Sequence, residues 1–338
     1  FKLLFMRSYL YLLIIISFWG CTQNSTIEKY QNKRAHIINI HDKVKEIKIE
    51  DVLIGNIAVP YSFDKYLIIS DHRSYDKLIH VFDKKNFNHI ASFGYQGEGP
   101  SEITVLGHLK FNEKKREIYV ADHGKHCILS YNLDSIITNP NYTPLVKLKI
   151  REREFPDRFH YINDSLSIAR IISINRNHTF NQSIAKWNMS TGEMSPMKYS
   201  HPNIERKRAI FSVSLKDNIY VECYRHHDLM TICSLDGDLK YNIYGSKWDN
   251  KTSNRFLHYG GVSFAGDYII ASYSGKDNTL EDYQPTCFII FDKTGDYLKT
   301  IETGYRIDDF CYDKDNNRII MVLNDNIQFA YFDLNYII

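Results

Sequence analysis

LIISDHRSYDKLIHVFDKKNFNHIASFGYQGEGPSEI, residues 67–103, is the stretch of sequence that says most about how this chain folds. Three short runs rich in β-branched and aromatic residues, Leu67–Asp71, Leu78–Asp83 and His89–Phe93, are separated by polar turns, as in consecutive antiparallel strands. A glycine-rich connector, Gly94–Glu102, follows them. The stretch therefore predicts a small β-sheet that ends in a crossover to another unit.

The first run of this unit recurs at intervals of about 50 residues. Most copies are followed by a second strand-like run that ends near Asp or Asn, and no long helical pattern separates them. Six such units are typical of a β-propeller, in which radial stacking buries both faces of every sheet. The sequence predicts an all-β, six-bladed β-propeller with four-stranded antiparallel blades. The recurring runs begin at Leu67, Ile118, Leu166, Ile219, Ile269 and Ile319.

The sixth unit lacks an outermost strand, because it ends with its third run, Ile327–Leu334. The segment Val44–Val52 alternates apolar and polar residues and lies before the first unit. We expect it to supply the missing strand, so that an N-terminal strand closes the ring. The alternative is that His36–Ile40 fills this place and Val44–Val52 covers an edge.

The first residues are typical of a targeting segment. Arg7 precedes the apolar run Tyr9–Trp19, which is shorter than the roughly 20 apolar residues of a transmembrane helix. The sequence Phe18-Trp19-Gly20-Cys21 resembles the lipobox of a bacterial lipoprotein. We expect residues 1–20 to be a lipoprotein signal peptide and Cys21 to carry the lipid. The alternative is a plain secretory signal followed by an incidental cysteine.

Residues 21–34 are polar, and we expect them to be a flexible tether before a propeller domain of residues 35–338. The chain has 42 Lys and Arg against 40 Asp and Glu, and the two counts become equal once Lys2 and Arg7 are removed with the signal peptide. A neutral mature chain has no general attraction for nucleic acid, so a nucleic-acid partner is not expected.

Two stretches carry a family resemblance. Ile118–Asn132, IYVADHGKHCILSYN, resembles an NHL-type blade. The connector from Phe93 to Glu102 resembles the FGxxGxGPGEF signature of the six-bladed β-propeller lipoproteins common in Bacteroidota, with Ser101 in place of Gly and Ile103 in place of Phe. The resemblance extends over residues 35–338. It implies an NHL- or TolB-like propeller that is lipid-anchored in the cell envelope, at the outer membrane, and it implies no particular chemistry.

In a propeller, the loops between second and third strands share one face with the connectors between blades. This loop-rich face is predicted to be rich in Arg and His, which suits an anionic or carbohydrate ligand through bidentate arginine contacts and aromatic stacking. The alternative is that these polar loops are simply solvated. The candidate ligand-facing residues are His72, Arg73, His123, His126, Arg176, Arg225, His226 and Trp248.

The predicted function is that of an envelope-anchored binding or scaffold propeller that recognises a glycan or another envelope protein through this face. The alternative is a glycan-directed lyase or hydrolase with its active site on the same face. No catalytic residue and no cofactor is predicted, since HExxH and GxSxG are absent from the sequence. Asp71-His72 and Asp122-His123 match in neighbouring blades, but later blades do not complete a metal-binding ring of histidines, and no metal site is predicted.

Two further expectations concern glycines and cysteines. Gly94–Glu102 leads into another strand, so a tight crossover between blades is favoured over a phosphate-binding loop. Glu98 and Glu102 remain candidates for carboxylates that point at the channel. Cys223 and Cys233 flank one hairpin, and a disulfide between them is sterically awkward, so buried free thiols are expected.

Overall fold

The computed structural model describes residues 27–139, 141–150, 154–174, 180–251 and 253–336. Most regular elements within these ranges are strands. Those of the N-terminal part and blades 1 to 3 are β1 (Glu28–Gln31), β2 (Ile37–Asn39), β3 (Lys45–Glu46), β4 (Ala58–Phe63), β5 (Tyr66–Asp71), β6 (Lys77–Asp83), β7 (His89–Tyr95), β8 (Leu106–Asn112), β9 (Glu117–Asp122), β10 (Cys127–Asn132), β11 (Leu145–Lys149), β12 (Glu154–Asn163), β13 (Leu166–Ile174), β14 (Phe180–Trp187) and β15 (Met194–Pro196).

The strands of blades 4 to 6 are β16 (Ala209–Ser214), β17 (Ile219–Tyr224), β18 (Leu229–Ser234), β19 (Leu239–Gly245), β20 (Phe256–Ala265), β21 (Tyr268–Asp277), β22 (Cys287–Asp292), β23 (Tyr297–Glu302), β24 (Ile307–Asp313), β25 (Arg318–Leu323) and β26 (Phe329–Asp333). One short helix, α1 (Leu133–Thr138), and two 3₁₀ turns, His41–Lys43 and Leu334–Tyr336, complete the described elements.

The strands form six sheets that are the blades of a six-bladed β-propeller, as the sequence predicts. Blades 1 to 5 are β4–β7, β8–β11, β12–β15, β16–β19 and β20–β23, and blade 6 is β24–β26 with β3. The first strand of each blade is the innermost, and these inner strands contact those of neighbouring blades around the central channel. The recurring runs of the sequence are the second strands, from β5 to β25. Every residue of β5, β17 and β25 is buried, because a neighbouring blade covers each face.

The ring is closed by β3, which is antiparallel to β26 with Lys45 opposite Tyr331 and Glu46 opposite Ala330. The Ile47 N–H extends this ladder by donating to the carbonyl of Phe329 at 2.8 Å. The beginning of Val44–Val52 is therefore the closing strand. The alternative, with His36–Ile40 in that place, is wrong, since β2 runs parallel to β23 at the outer edge of blade 5.

Residues 27–47, which we call the N-terminal strap, lie along the outer edges of blades 4, 5 and 6. β1 is parallel to β19 on blade 4, and Arg34 Nη1 donates to Asp228 Oδ1 at 2.9 Å between buried side chains. Residues 27–34, expected to belong to a flexible tether, are thus packed on the ring, because β1 finds free backbone groups at the edge of β19. Residues 1–26, with the signal peptide and Cys21, lie outside the described residues.

The glycine connector is a compact crossover, as predicted. Gly94 has φ +73°, which favours glycine, and Glu102 Oε2 accepts a hydrogen bond of 2.7 Å from the Gly99 N–H. A Cβ atom on Gly97 would lie 2.0 Å from the same carboxylate oxygen, so the glycine leaves room for this side chain. Glu102 therefore folds back onto its own loop instead of pointing at the channel, and Glu98 is exposed.

The described cysteines are free thiols, as expected. Cys223 lies opposite Met230, and Cys233 lies opposite Tyr220, so the two thiols do not face each other across the hairpin. Within the described part of the chain, no helix is long and apolar enough to cross a membrane.

Candidate functional site in the central channel

The two faces of the ring follow from strand direction. Inner strands run from the loop-rich face to the opposite face, which we call the turn face because it carries the short turns within blades. Among the described residues, four occupy one equivalent place at the loop-rich mouth of the channel, directly after the second strand of their blades. Each donates its backbone N–H, at 2.8 to 2.9 Å, to the carbonyl that precedes its own inner strand. They are His72, His123, Arg225 and Asn324.

The aspartates before the two histidines have a structural role. Asp71 accepts from the N–H groups of Gly55 and Arg73 at 2.7 and 2.8 Å, and Asp122 accepts from Thr104 at 3.0 Å. Each carboxylate thus ties the end of a second strand to the incoming crossover. In each repeated Asp-His pair, the aspartate therefore holds the loop in place, and the histidine lies at the channel mouth.

Three of the predicted ligand-facing residues come together at this mouth. His72 is half-buried, and burial lowers its pKa while Asp71 opposes that effect. His123 is half-buried against Gly107, where a Cβ atom would lie 2.3 Å from Nε2. Arg225 is half-buried as well, and its pKa is lowered by burial and by Arg158 and Arg170, with Asp309 opposing. The mouth therefore collects side chains from blades 1, 2 and 4.

The other predicted residues lie elsewhere. Arg73 and His126 are exposed on the rim of the loop-rich face. His226 Nδ1 donates to the carbonyl of Phe256 at 2.9 Å. Trp248 packs against Tyr244, with ring centroids 4.9 Å apart, and therefore belongs to an aromatic cluster of blade 4. Arg176 lies outside the described residues.

Below the mouth, the ladder register places inner-strand residues at two levels of the channel. The upper level consists of Val59, His108, Arg158, Ile210, Gly261 and Asp309. The lower level, two residues nearer the turn face, consists of Tyr61, Lys110, His160, Ser212, Ser263 and Cys311. All twelve line one cavity of about 640 Å³. It opens on the turn face, since Glu113 and Asn163 from the turns also line it.

Arg158 is the most unusual group of the cavity. Among the described residues it has no ion-pair partner within 4.0 Å, and its Nε is buried without a hydrogen-bond acceptor. Its neighbour across the ladder, Arg170, is satisfied, because its Nε donates to Asp157 Oδ1 at 2.9 Å. Asp309, on blade 6, is three blades from Arg158, so the two lie on opposite sides of the channel axis. The upper level thus holds a cation and a carboxylate that do not touch.

Burial controls the protonation of the surrounding groups. It lowers the pKa of Lys110 to about 8, with Arg158 adding to the effect and Asp309 opposing it. It lowers the pKa of His160 to about 3 and that of His108 well below its ordinary value, so both imidazoles are neutral at pH 7. It raises the pKa of Asp309, against Arg158 and Arg225. Lys110, Arg158 and Arg225 therefore give this side of the channel a positive charge.

Sequence reasoning missed the inner-strand residues. Arg158, which lies in β12, is not among the candidates named from the sequence, and neither are His108, Lys110, His160 and Asp309. A signal was present in Gly107–Phe111, where polar and apolar residues alternate just before a recurring run. Within the described part of the chain, no group of three or more His, Cys, Asp and Glu side chains is placed to hold a metal ion.

Comparison with known proteins gives the same architecture. A family described as a 6-bladed beta-propeller matches residues 47–149. No curated protein sequence matches the chain. A luciferin-regenerating enzyme is 8% identical with a TM-score of 0.55, over 85% of this chain and 94% of that one. A Bacteroides fragilis protein named as exported is 11% identical with a TM-score of 0.53, over 90% and 98%. At such identities the likeness concerns the fold alone, and the chain is a six-bladed β-propeller.

Proposed function

We propose that this chain is a binding module of a bacterial cell envelope that recognises an acidic glycan at the loop-rich mouth of its channel. The observation that carries the proposal is the shared position of His72, His123 and Arg225, which brings three nitrogen-bearing side chains from different blades to one opening. A guanidinium holds a uronate or sulfate group in a bidentate manner, and imidazoles hydrogen-bond sugar hydroxyls.

The location is proposed from the N-terminal sequence. Residues 1–20 have the charge, length and small residue of a signal peptide, and Cys21 stands where a bacterial lipoprotein carries its lipid. The Bacteroides fragilis protein of similar fold is named as an exported protein, which is consistent with this location. We therefore place the propeller at a membrane surface outside the cytoplasm, with the outer membrane as the proposed site.

Calorimetric titration with acidic oligosaccharides and their neutral counterparts tests the proposal, on the chain with Cys21→Ser to prevent lipidation. The acidic members should bind more tightly. Arg225→Ala should weaken their binding by about tenfold, the usual effect of losing one charge-assisted contact. Arg73→Ala, an exposed arginine of the same face outside the mouth, is the matched control and should leave binding unchanged.

Equal binding of acidic and neutral oligosaccharides, or equal loss in both variants, would count against an acidic glycan. In that case the partner is expected to be another envelope protein. Cross-linking of the lipidated chain in membranes, followed by recovery of a stoichiometric partner that the Arg225→Ala variant loses, identifies this second ligand.

A glycan-directed lyase or hydrolase is the second candidate, and one observation favours it, although this observation lies in the channel cavity and not on the loop-rich face. Lys110, with its pKa lowered to about 8, lies one blade from His160 at the same level of the cavity, so an amine and a neutral imidazole share one enclosed space. Release of new reducing or unsaturated ends from an acidic glycan, lost in Lys110→Met, would support the enzyme. Binding without any such release would support the binding module.

A further inference from the structure

The channel cavity is a second place where a ligand fits, apart from the loop-rich mouth. Its lining comes from the inner strands and the turns, and it includes none of His72, His123 and Arg225. Its volume of about 640 Å³ is that of a small-molecule site. Ligands that enter from the turn face therefore meet a different set of groups from ligands that bind at the mouth.

The charged groups of this cavity are kept apart, in contrast to several buried ion pairs in the described part of the protein. Arg34 pairs with Asp228 at 2.9 Å, and Lys84 pairs with Asp313 at 2.8 Å. Within the described structure, neither Arg158 nor Lys110 has an ion-pair or hydrogen-bond partner. Arg158, Lys110 and Asp309 are each half-buried. Unpaired charge that is partly removed from water is costly, so its presence on both sides of one cavity indicates groups that a ligand completes.

The cavity has a cationic end and an anionic end. Arg158 and Lys110 lie on the neighbouring blades 3 and 2, whereas Asp309 lies on blade 6, across the axis from Arg158. Asp309 Oδ1 accepts from the Phe310 N–H at 2.8 Å, which holds the carboxylate in place. Between the two ends, the walls are apolar or carry neutral hydroxyls, as at Ile210 and Ser263.

We propose that this cavity binds a small zwitterion of the amino-acid type, with its carboxylate at Arg158 and Lys110 and its ammonium at Asp309. An inorganic anion would satisfy only the cationic end and would leave Asp309 without a partner. A ligand with both charges completes both ends without bringing a net charge into the channel. This site is independent of the glycan proposed for the mouth.

Titration calorimetry of the chain at pH 7 with a series of amino acids tests the proposal. The series extends from glycine to 6-aminohexanoate, so that the spacer between the charges varies. One spacer length should bind best, and both its N-acetyl and its carboxamide derivatives should bind at least about tenfold more weakly. Phosphate and sulfate alone are included as anionic probes. Equal binding of these anions and of the best zwitterion would overturn the proposal, as would the absence of binding throughout the series.

Two variants test which residue binds the ammonium and which binds the carboxylate of the ligand. Asp309→Asn should abolish the preference for the amine over its N-acetyl derivative, and Arg158→Gln should abolish the preference for the carboxylate over its amide. Lys216→Ala, an exposed lysine of the turn face outside the cavity, should change neither preference. A uniform loss of affinity in both variants, with both preferences kept, would contradict the two-ended site. If a variant does not fold, the derivative series on the unmodified chain decides the question.

Discussion

At Lys110 an amine lies inside a channel in which Arg158 repels its charge and Asp309 attracts it. The neighbouring imidazoles, His108 and His160, are neutral at pH 7, so they do not compensate either charge. Burial is the largest cause of the lowered pKa of this lysine, and the folded chain therefore holds its proton less tightly than the unfolded chain does. That difference has a measurable effect on stability.

The free energy of unfolding should rise with pH because of Lys110. Its pKa is about 8 in the folded chain and 10.5 in its ordinary state, so between these values the unfolded chain binds more protons and stability increases with pH. Since channel water screens the charge, we expect about 1 to 2 kcal/mol across this interval, relative to Lys110→Met. Urea unfolding of both proteins at pH 7.5 to 10.5 measures the difference between their free energies of unfolding. Tyrosines and cysteines that titrate in the same range contribute equally to both proteins, so their contribution cancels in this difference. A difference that stays constant with pH would contradict the lowered pKa.

Individual residues also show which parts of the candidate site can be predicted from the sequence. His72 and His123 are predicted from their place in the loops that follow a recurring strand, and their backbone contacts are equivalent in the structure. Arg225 occupies the same place in blade 4 without the aspartate. Trp248 is predicted to stack on a ligand, yet it packs within blade 4. A side chain's position along a repeat is therefore more informative here than its chemical type.

At the scale of elements, the second strands were predictable and the inner strands were not. β5 and its equivalents are buried on both faces and read as continuous apolar runs between turns. Inner strands such as β8 and β12 face the channel with alternate residues, so they carry Lys110 and Arg158 and resemble loops in composition. Only the ladder register brings Arg158 and Asp309 to one level, and that long-range relation has no local signature.

The N-terminal strap is attached to blades 4 and 5 through the buried side chain of Arg34. Arg34 donates to Asp228 Oδ1 at 2.9 Å and to the Tyr259 hydroxyl at 3.2 Å, and Tyr273 donates to Asp228 Oδ2 at 3.1 Å. The guanidinium also lies 5.4 Å from the centre of the Tyr273 ring. This network joins the segment between β1 and β2 to blades 4 and 5.

Arg34→Leu should lower the free energy of unfolding by about 3 kcal/mol, because it leaves the buried Asp228 carboxylate without its cation. It should also speed amide hydrogen exchange in β1 and β2 more than in β5, since the strap loses its anchor before the blades open. Lys33→Ala, an exposed neighbour, is the control and should change neither quantity. Exchange that increases equally in all strands would mean that Arg34 stabilises the ring as a whole and not the strap.

For the whole molecule, the strands β1 and β2 of the strap contribute differently from its last strand, β3, which closes the ring. Blades 4 and 5 have four strands of their own, and β1 and β2 are added to their outer edges. Blade 6 has only three without β3, and β3 is the one strand that joins the beginning of the described chain to its last blade. Loss of β1 and β2 therefore uncovers edges, whereas loss of β3 opens the ring.

Three truncated chains separate these effects in thermal unfolding. A chain that begins at residue 27 is the reference. One that begins at residue 40 lacks β1, Arg34 and β2; it should melt at a lower temperature but still in one cooperative transition, because the ring remains closed. One that begins at residue 48 also lacks β3, and it should melt in a broad transition at a still lower temperature. A peptide of residues 27–47, added to this last chain, should restore the sharp transition by replacing β3 on β26. Equally sharp melting of the chains that begin at 40 and 48, at one temperature, would show that the ring does not depend on its N-terminal closure.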